Sequence, residues 1–151
     1  MRKKVVGVVG GHECTRETER MAVELGQKLV AVADILVCGG LSGTMKAACK
    51  GFKSAGGTTM GIIPTYNKQD ANEFVDIVIP TGLGYARNVL VVKTADAIVA
   101  LPGETGTLSE IAYALQFGIP VVSLGQWEIK GVIKVKTPDE AAKEVKARLK
   151  P

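Results

Sequence analysis

Short apolar runs alternate with segments of helical periodicity along the chain. Residues 3–11 read KKVVGVVGG, an apolar run that ends in a glycine turn. The following segment places Met21, Leu25 and Leu29 at intervals of four residues, on one face of a helix. The same alternation continues to the C-terminus. It predicts strands at 3–11, 35–40, 58–64, 74–80, 97–103 and 119–125, helices at 15–34, 42–57, 107–118 and 137–150, and a loop leading into a helix at 81–96.

Strands that are apolar throughout and alternate with helices are typical of a mainly parallel sheet with helices on both faces. The chain has 151 residues, which suffices for one domain with a hydrophobic core. It contains no long linker, low-complexity tract or internal repeat. The sequence therefore predicts an α/β fold: a single doubly wound, Rossmann-like domain over residues 1–151, with a mainly parallel sheet.

Three of the predicted strands end in glycine, and their turns are candidates for a ligand site. They lie at Gly10-Gly11, at Gly39-Gly40 and at Gly103. Ligands of doubly wound sheets bind beyond the carboxyl ends of the strands. We therefore expect the three turns to lie along one edge of the sheet and to face the same ligand.

The third glycine turn runs directly into a helix. The stretch LPGETGTLSE, residues 101–110, ends an apolar strand and continues as IAYALQFG. The first N–H groups of a helix have no partner within it, and the helix dipole adds partial positive charge, so such a start attracts anions. The stretch predicts a phosphate site with Glu110 about one turn into the helix. The plainer interpretation is that the dipole alone favours an acid there.

Two common nucleotide motifs are absent. The fingerprint G-x-G-x-x-G does not follow the first strand, which continues as GVVGGHECTRE. The stretch CGGLSGTMK, residues 38–46, contains G-x-x-G but lacks the G-K-[ST] ending of a P-loop. NAD binding and P-loop ATP hydrolysis are therefore disfavoured. The remaining interpretation is that the glycine turns hold a nucleotide-sized or phosphorylated ligand.

Composition and charge narrow the class of protein further. The formal net charge is +4, and basic residues at both ends of the chain stand beside acidic ones, which indicates solvated surface rather than a nucleic-acid patch. No apolar run approaches the roughly 20 residues that a membrane span needs. The N-terminus passes from RKK straight into a strand, without the pattern of a signal peptide. We expect a cytoplasmic protein with no membrane or nucleic-acid partner.

The three cysteines show neither a CxxC pair nor zinc spacing, so no metal site is predicted. Cys38 and Cys49 fall in a strand and a helix and are interpreted as reduced packing residues. Cys14 stands near His12 in a loop, which suggests a nucleophile and its base. An isolated pair in a turn rarely acts in this way, so packing or surface roles are favoured for all three.

Three segments together resemble the LOG-like superfamily. They are residues 38–57, the GIIP at 61–64, and residues 86–122, which begin with ARN. The superfamily includes the cytokinin-activating LONELY GUY phosphoribohydrolases and the molybdenum cofactor carrier proteins. Its motif P-G-G-x-G-T-x-x-E is matched by PGETGTLSE, and the resemblance extends from residue 5 to about 125. The compact form with ARN and a short C-terminus is similar to the carrier-like bacterial and archaeal branch.

The resemblance implies roles for particular residues. In the LOG-type enzymes the motif loop binds the 5′-phosphate of a nucleotide, and the motif glutamate and an upstream arginine act at the ribose. Glu110 and Arg87 match these two catalytic positions, although alone Arg87 would be interpreted as a surface residue. With the glycine turns, the ligand-binding set is Gly10, Gly11, Gly39, Gly40, Gly43, Asn88, Gly103, Thr105, Gly106 and Thr107. No cofactor is expected, and no lysine stands in a pyridoxal-phosphate setting, so lysine decarboxylase activity is disfavoured.

One residue departs from the family motif. Glu104 stands where the motif has its second glycine. A carboxylate about 4 Å from a bound phosphate would cost on the order of a few kcal/mol. A left-handed backbone would cost a glutamate roughly 1–2 kcal/mol more. Either Glu104 points outward and the phosphate site survives, or the pocket has changed its ligand.

Three functions follow from these observations. The first is carrier-like binding of a phosphorylated, nucleotide-like ligand, for example of the molybdopterin type. The alternative is a nucleoside 5′-monophosphate phosphoribohydrolase, which releases a base and ribose 5-phosphate. A nucleotide sensor or scaffold with a vestigial pocket is the third. The helical segments 86–96 and 111–118 carry apolar residues on more than one face, so a homodimer is expected. Tyr113 and Trp127 are interpreted as core or dimer contacts rather than platforms for a base.

Overall fold

The strands form one parallel sheet flanked by helices on both faces. The computed structural model describes residues 1–149. Over these residues the elements are β1 (Val5–Val9), α1 (Arg16–Leu29), β2 (Ile35–Cys38), α2 (Thr44–Ser54), β3 (Thr58–Ile63), β4 (Ile77–Pro80), α3 (Asn88–Thr94), β5 (Ala97–Ala100), α4 (Thr105–Phe117), β6 (Val121–Ser123), β7 (Ile133–Lys134) and α5 (Pro138–Arg148). Single 3₁₀ turns lie at Lys68–Asp70 and Gly84–Arg87.

The order of strands creates a crevice at the carboxyl edge of the sheet. In the described part of the chain the sheet has seven strands in the order β4-β3-β2-β1-β5-β6-β7, and all neighbouring pairs are parallel. The chain winds outward from β1 to β4, then returns beside β1 with β5 and winds the other way. Loops leaving β1 and β5 therefore diverge, which is the geometry in which doubly wound sheets bind ligands.

Side chains of β1 alternate between two cores. Val6 and Val8 are fully buried against α1, α2 and α5, whereas Val9 packs on the other face with α3 and α4. A central parallel strand is buried on both faces, which explains why this strand reads as a continuous apolar run. The same pattern recurs in β5, whose residues are all buried.

Helices α1 and α2 approach each other through two glycines. A Cβ built on Gly51 would overlap the carbonyl oxygen of Val23, and one built on Gly26 would overlap the carbonyl oxygen of Ala48. The backbones of α1 and α2 are therefore in direct contact at these two positions.

The predicted α/β class and doubly wound sheet are confirmed, and the sheet is parallel throughout rather than mainly so. Helices α1, α2 and α5 are shorter than predicted, whereas α4 begins two residues earlier than the predicted 107. Helix α1 ends at Leu29 instead of reaching residue 34, because the chain must turn there to enter β2, and the Asp34 carboxylate accepts a hydrogen bond from the Lys4 N–H at 2.7 Å. Strand β7 has two residues, too few for a periodic signal. The last residue of the predicted helix at 137–150, Lys150, lies outside the described residues.

No helix among residues 1–149 combines the length and the hydropathy that a bilayer crossing requires. This matches the absence of a long apolar run in the sequence.

Replacing Gly51 with alanine should destabilise the protein. The added methyl group would meet the Val23 backbone in α1, and overpacking of this kind costs about 1–3 kcal/mol, more than the roughly 1 kcal/mol that alanine gains in helix propensity. Urea unfolding should show a lower midpoint with an unchanged m-value. The neighbouring exposed position provides the control, since Lys50→Ala should change the unfolding free energy by less than about 0.5 kcal/mol. Equal stability of Gly51→Ala and wild type would contradict the close packing.

Candidate functional site

A cavity of about 1030 Å³ opens at the carboxyl edge of the sheet, where β1 and β5 diverge. The loops after β1 and β5 form two of its walls, and the segment before α3 and the first turns of α4 form the others. The lining residues from these parts are Gly10 to Thr15, Tyr85 to Asn88, Pro102 to Thr107, Ser109, Glu110 and Tyr113, with Thr18, Leu41, Met45 and Gln126 at the margins.

The first and third glycine turns are in direct contact. The Gly11 N–H donates a hydrogen bond to the carbonyl oxygen of Pro102 at 3.0 Å. The Gly11 carbonyl oxygen accepts from the Thr44 N–H at 3.0 Å and from its hydroxyl at 2.8 Å, which fixes the start of α2. A Cβ on Gly103 would lie 2.9 Å from the Gly11 nitrogen. Glycine is therefore needed because two backbones meet, not because of an unusual backbone angle.

The start of α4 faces the cavity with free backbone donors. The helix begins at Thr105, and the preceding residue makes no side-chain hydrogen bond to its N–H groups. The first N–H groups have no partner within the helix. Thr105, Gly106 and Thr107 all line the cavity, and a Cβ on Gly106 would meet nothing nearer than the Asn88 amide nitrogen at 3.9 Å. An anion can reach this turn without obstruction.

Glu104 is accommodated without strain. Its φ of −121° lies outside the left-handed region, so the glycine of the family motif is not needed for a left-handed turn in this chain. Its side chain is exposed at the rim of the cavity. A carboxylate in solvent is screened far more strongly than one inside the site. Glu104 is at once exposed and one of the residues that line the cavity, so both alternatives left by the sequence stay predictions.

Arg87 is buried beneath the cavity rather than exposed at the surface. It is 7% exposed. Its Nε donates to the Ile62 carbonyl oxygen at 2.8 Å, its Nη2 donates to the Gly39 carbonyl oxygen at 3.3 Å, and its Nη1 donates to the Asn88 side-chain oxygen. A Cβ on Gly39 would lie 2.6 Å from Nη2. Burial lowers the pKa of Arg87, and the nearby Glu110 raises it, but a guanidinium stays charged.

Glu110 lies on the buried side of α4, facing the same cavity. It is also 7% exposed. Burial raises the pKa of its carboxyl group to about 8, although the charge of Arg87 lowers it. No ion pair among residues 1–149 joins the two side chains. At neutral pH Glu110 is mostly a neutral acid beside a buried cation, unlike an exposed acid that merely complements the helix dipole.

Most of the predicted site residues line one cavity, and three of them lie outside its lining. Gly39, Gly40 and Gly43 are not among the residues that line it. Gly40 and Gly43 have positive φ angles of 77° and 67°, and Gly43 packs on the backbone of Gly11 and His12. These glycines shape the turns behind the cavity. The predicted residues that do line it are Gly10, Gly11, Arg87, Asn88, Gly103, Thr105, Gly106, Thr107 and Glu110.

Several lining residues were not predicted. Ser109 and Tyr113 of α4 also line the cavity, and the spacing of Tyr113, three residues after Glu110, was a usable signal. Gln126 donates to the Gly103 carbonyl oxygen at 2.7 Å from a loop far along the chain. No local pattern could have indicated that contact. Trp127, interpreted as a core residue, is buried and donates to the Leu101 carbonyl oxygen at 3.1 Å.

The cysteines have the environments of packing or surface residues. Cys38 and Cys49 are fully buried, with sulfur atoms 3.5 Å apart. Cys14 is an exposed residue that lines the cavity. Partial burial of its thiol raises the pKa, and the negative charge of the nearby Glu19 raises it further. A nucleophilic thiol needs the opposite shift. Within residues 1–149 no three metal-binding side chains cluster.

Comparisons with known proteins found a family model, relatives and solved structures to which this chain is similar. The model of the SLOG cluster4 family (LDcluster4) matches residues 3–149. An uncharacterized protein of Archaeoglobus fulgidus is 42% identical over 142 residues, which cover 93% of each chain. The probable cytokinin riboside 5′-monophosphate phosphoribohydrolase LOGL9 of Oryza sativa is 35% identical over 73% of this chain, which spans 51% of that protein. The solved structure of the molybdenum cofactor binding protein from Rippkaea orientalis superposes with a TM-score of 0.92 at 34% identity, covering 97% of this chain and 98% of that one.

Glu110→Gln should stabilise the protein at alkaline pH and leave it unchanged at acid pH. The carboxyl group has an ordinary pKa of 4.5 when unfolded and about 8 when folded. Between these values the folded state holds a proton that the unfolded state has released, so wild-type stability falls as pH rises and levels off above about 8. Glutamine carries no charge throughout. Urea unfolding should show a stability difference near zero at pH 4 that grows to on the order of a few kcal/mol at pH 9.

The control for this experiment is Glu104→Gln, which changes an exposed carboxylate. Its stability relative to wild type should vary little over the same pH range. A difference for Glu110→Gln that is constant from pH 4 to pH 9 would show that burial does not hold the proton on Glu110.

Proposed function

This chain belongs to the SLOG cluster4 family, and we propose that it is a carrier-like binding protein for a phosphorylated, nucleotide-like ligand. The observation that carries this proposal is the meeting of two anion-binding elements in one cavity. The start of α4 and the buried guanidinium of Arg87 both face it. Its volume of about 1030 Å³ is at the upper end of the range for small-molecule and cofactor sites.

The ligand's phosphate sits against the N–H groups of Thr105, Gly106 and Thr107, and Arg87 reaches another part of the ligand. A guanidinium has five N–H bonds. Protein acceptors take three of them, one each at Ile62, Gly39 and Asn88, which leaves two for a ligand. Because the three protein contacts hold the group still, little side-chain entropy is lost when the ligand binds.

The protonation state of Glu110 favours binding over hydrolysis. With a pKa raised to about 8 by burial, Glu110 is mostly uncharged at neutral pH. A neutral acid can donate a hydrogen bond to an anionic ligand and does not repel it. The high similarity to the Rippkaea molybdenum cofactor binding protein over nearly the full length of both chains supports a ligand of the molybdopterin type.

The alternative is a nucleoside 5′-monophosphate phosphoribohydrolase. It is favoured by the presence of Arg87 and Glu110 in one cavity and by the similarity to LOGL9, although this chain spans about half the length of that protein. In that reaction water adds to C1′ of the ribose while the bond from C1′ to the base breaks. The base keeps the electron pair and gains a proton, and the Glu110 carboxylate takes the proton from water. Such turnover would increase with pH towards about 8.

A panel of nucleoside monophosphates separates the two functions. We expect calorimetry to detect binding of AMP and of inorganic phosphate, and chromatography to detect no free base. Because the carboxylate of Glu104 is exposed, Glu104→Gly should tighten AMP binding by less than about tenfold, since a solvated charge contributes at most about 1 kcal/mol. Glu104→Gln, which removes the charge and keeps the side chain, should tighten it equally. Steady release of adenine by wild type that Glu110→Gln abolishes would instead establish the hydrolase.

A homodimer that uses the α3 and α4 face is part of the proposal. Tyr113 and Phe117 stack with ring centroids 6.0 Å apart, and both rings are about two-fifths exposed. Lys93 of α3 lies over the Phe117 ring at 4.7 Å. On the same side of the sheet, no helix within residues 1–149 covers the edge strand β4, and Ile77 and Ile79 are exposed. A second copy would bury this apolar surface symmetrically.

Phe117→Glu should weaken self-association. Light scattering of wild type at high micromolar concentration should give about twice the chain mass of 15.9 kDa. The variant should give a lower mass, because replacing the Phe117 ring with a hydrated carboxylate removes apolar area that a second copy would bury. Tyr66→Glu is the control, since Tyr66 is an exposed aromatic residue outside α3 and α4. A wild-type mass equal to one chain at that concentration would exclude the homodimer. The absence of a nucleic-acid partner and the cytoplasmic location stay predictions.

A further inference from the structure

We propose that Asn88 is a positioning residue, which links the anion-binding start of α4 to the guanidinium of Arg87 through a directional chain of hydrogen bonds. The sequence left two roles open for Asn88, a cap or a ligand contact. The link itself is present in the structure. Its effect on affinity rests on the ligand site proposed above.

The chain of hydrogen bonds has one direction from end to end. Arg87 Nη1 donates to the Asn88 side-chain oxygen. The Asn88 Nδ2 donates to the Ser109 hydroxyl oxygen at 3.2 Å. The Ser109 hydroxyl in turn donates to the Gly106 carbonyl oxygen at 2.6 Å. Since Arg87 can only donate and a carbonyl can only accept, the two ends determine which amide atom of Asn88 faces which neighbour.

An amide side chain is required at this position. Asn88 must accept from Arg87 and donate to Ser109, and it is 3% exposed, so water cannot readily replace either partner. Aspartate would accept from Arg87 but could not donate to Ser109. It would also place a negative charge between the guanidinium and the anion site. A small apolar residue would satisfy neither neighbour.

The link acts on the part of Arg87 that no backbone carbonyl holds. The Ile62 and Gly39 carbonyl oxygens bind Nε and Nη2, at the ends of β3 and β2. Asn88 alone among the described residues binds Nη1. At the other end, Gly106 lies in the first turn of α4, where the phosphate is proposed to bind. Asn88 therefore sets the distance and angle between the two anion-binding elements, and such geometry must hold within about 0.5 Å for tight binding.

The first test needs no ligand. In ¹⁵N-arginine-labelled wild type, the Arg87 Nη–H signals should be resolved at low temperature, because three acceptors restrict rotation of the guanidinium. Asn88→Ala should merge the Nη1 signals through faster rotation, and Asn88→Asp should keep them resolved, because aspartate still accepts from Arg87. Asn67→Asp, at an exposed turn outside the cavity, is the control and should leave them unchanged. Identical Arg87 signals in Asn88→Ala and wild type would overturn the proposal.

The second test measures affinity for AMP in a double-mutant cycle. Ser109→Ala interrupts the chain without touching Arg87 and should weaken AMP binding by about 3–10-fold, the value of one hydrogen bond. In an Arg87→Ala background, Ser109→Ala should have no further effect, because no positioned guanidinium remains. Equal losses in both backgrounds would overturn the link, since a purely local effect of Ser109 is additive. Should Asn88→Ala fail to fold, the cycle with Ser109→Ala still decides the matter.

Failure of the proposed function gives a different result. If wild type binds neither AMP nor inorganic phosphate, the ligand class is wrong, and the Arg87 signals still decide whether Asn88 positions the guanidinium.

Discussion

A buried guanidinium determines the arrangement of this site. A charge inside a protein is tolerated only when hydrogen bonds replace its lost water. Arg87 obtains them from the carbonyl oxygens of Gly39 and Ile62, at the carboxyl ends of β2 and β3, and from Asn88. The turn after β2 must therefore come close to the side chain, and position 39 has no room for a Cβ. The glycine at position 39 is therefore explained by the packing of the Arg87 side chain and does not require a ligand contact.

Glu110 and Arg87 illustrate how environment sets chemistry. The same carboxylic acid in solvent would be ionised at neutral pH and would form an ion pair with a nearby arginine. Here burial outweighs the attraction of Arg87, and the pKa rises to about 8. Glu110 consequently forms no ion pair with the Arg87 guanidinium, and neither does any other carboxylate among residues 1–149. The guanidinium keeps its charge and two of its five N–H bonds for other acceptors.

Much of the fold and part of the site could be predicted from the sequence. The strand and helix periodicities identified the doubly wound architecture, and the stretch 101–110 located the start of α4. Prediction was poorer where structure depends on remote contacts. The end of α1 at Leu29 is set by the turn into β2, and β7 is too short to show a pattern. Glu104 could be judged only when its backbone angle and exposure were known.

The sequence by itself determined the class of fold and the edge of the sheet that holds the cavity, because periodicity and glycine turns are local properties of a chain. Arg87 and Glu110 were singled out through the resemblance to the LOG-like superfamily. Only the tertiary structure decided the environment of these two residues. Burial, which sets the protonation of Glu110, depends on elements that are distant along the chain. The link from Arg87 through Asn88 and Ser109 to Gly106 joins the start of α3 to α4, and it forms only because both helices pack on the same face of the sheet.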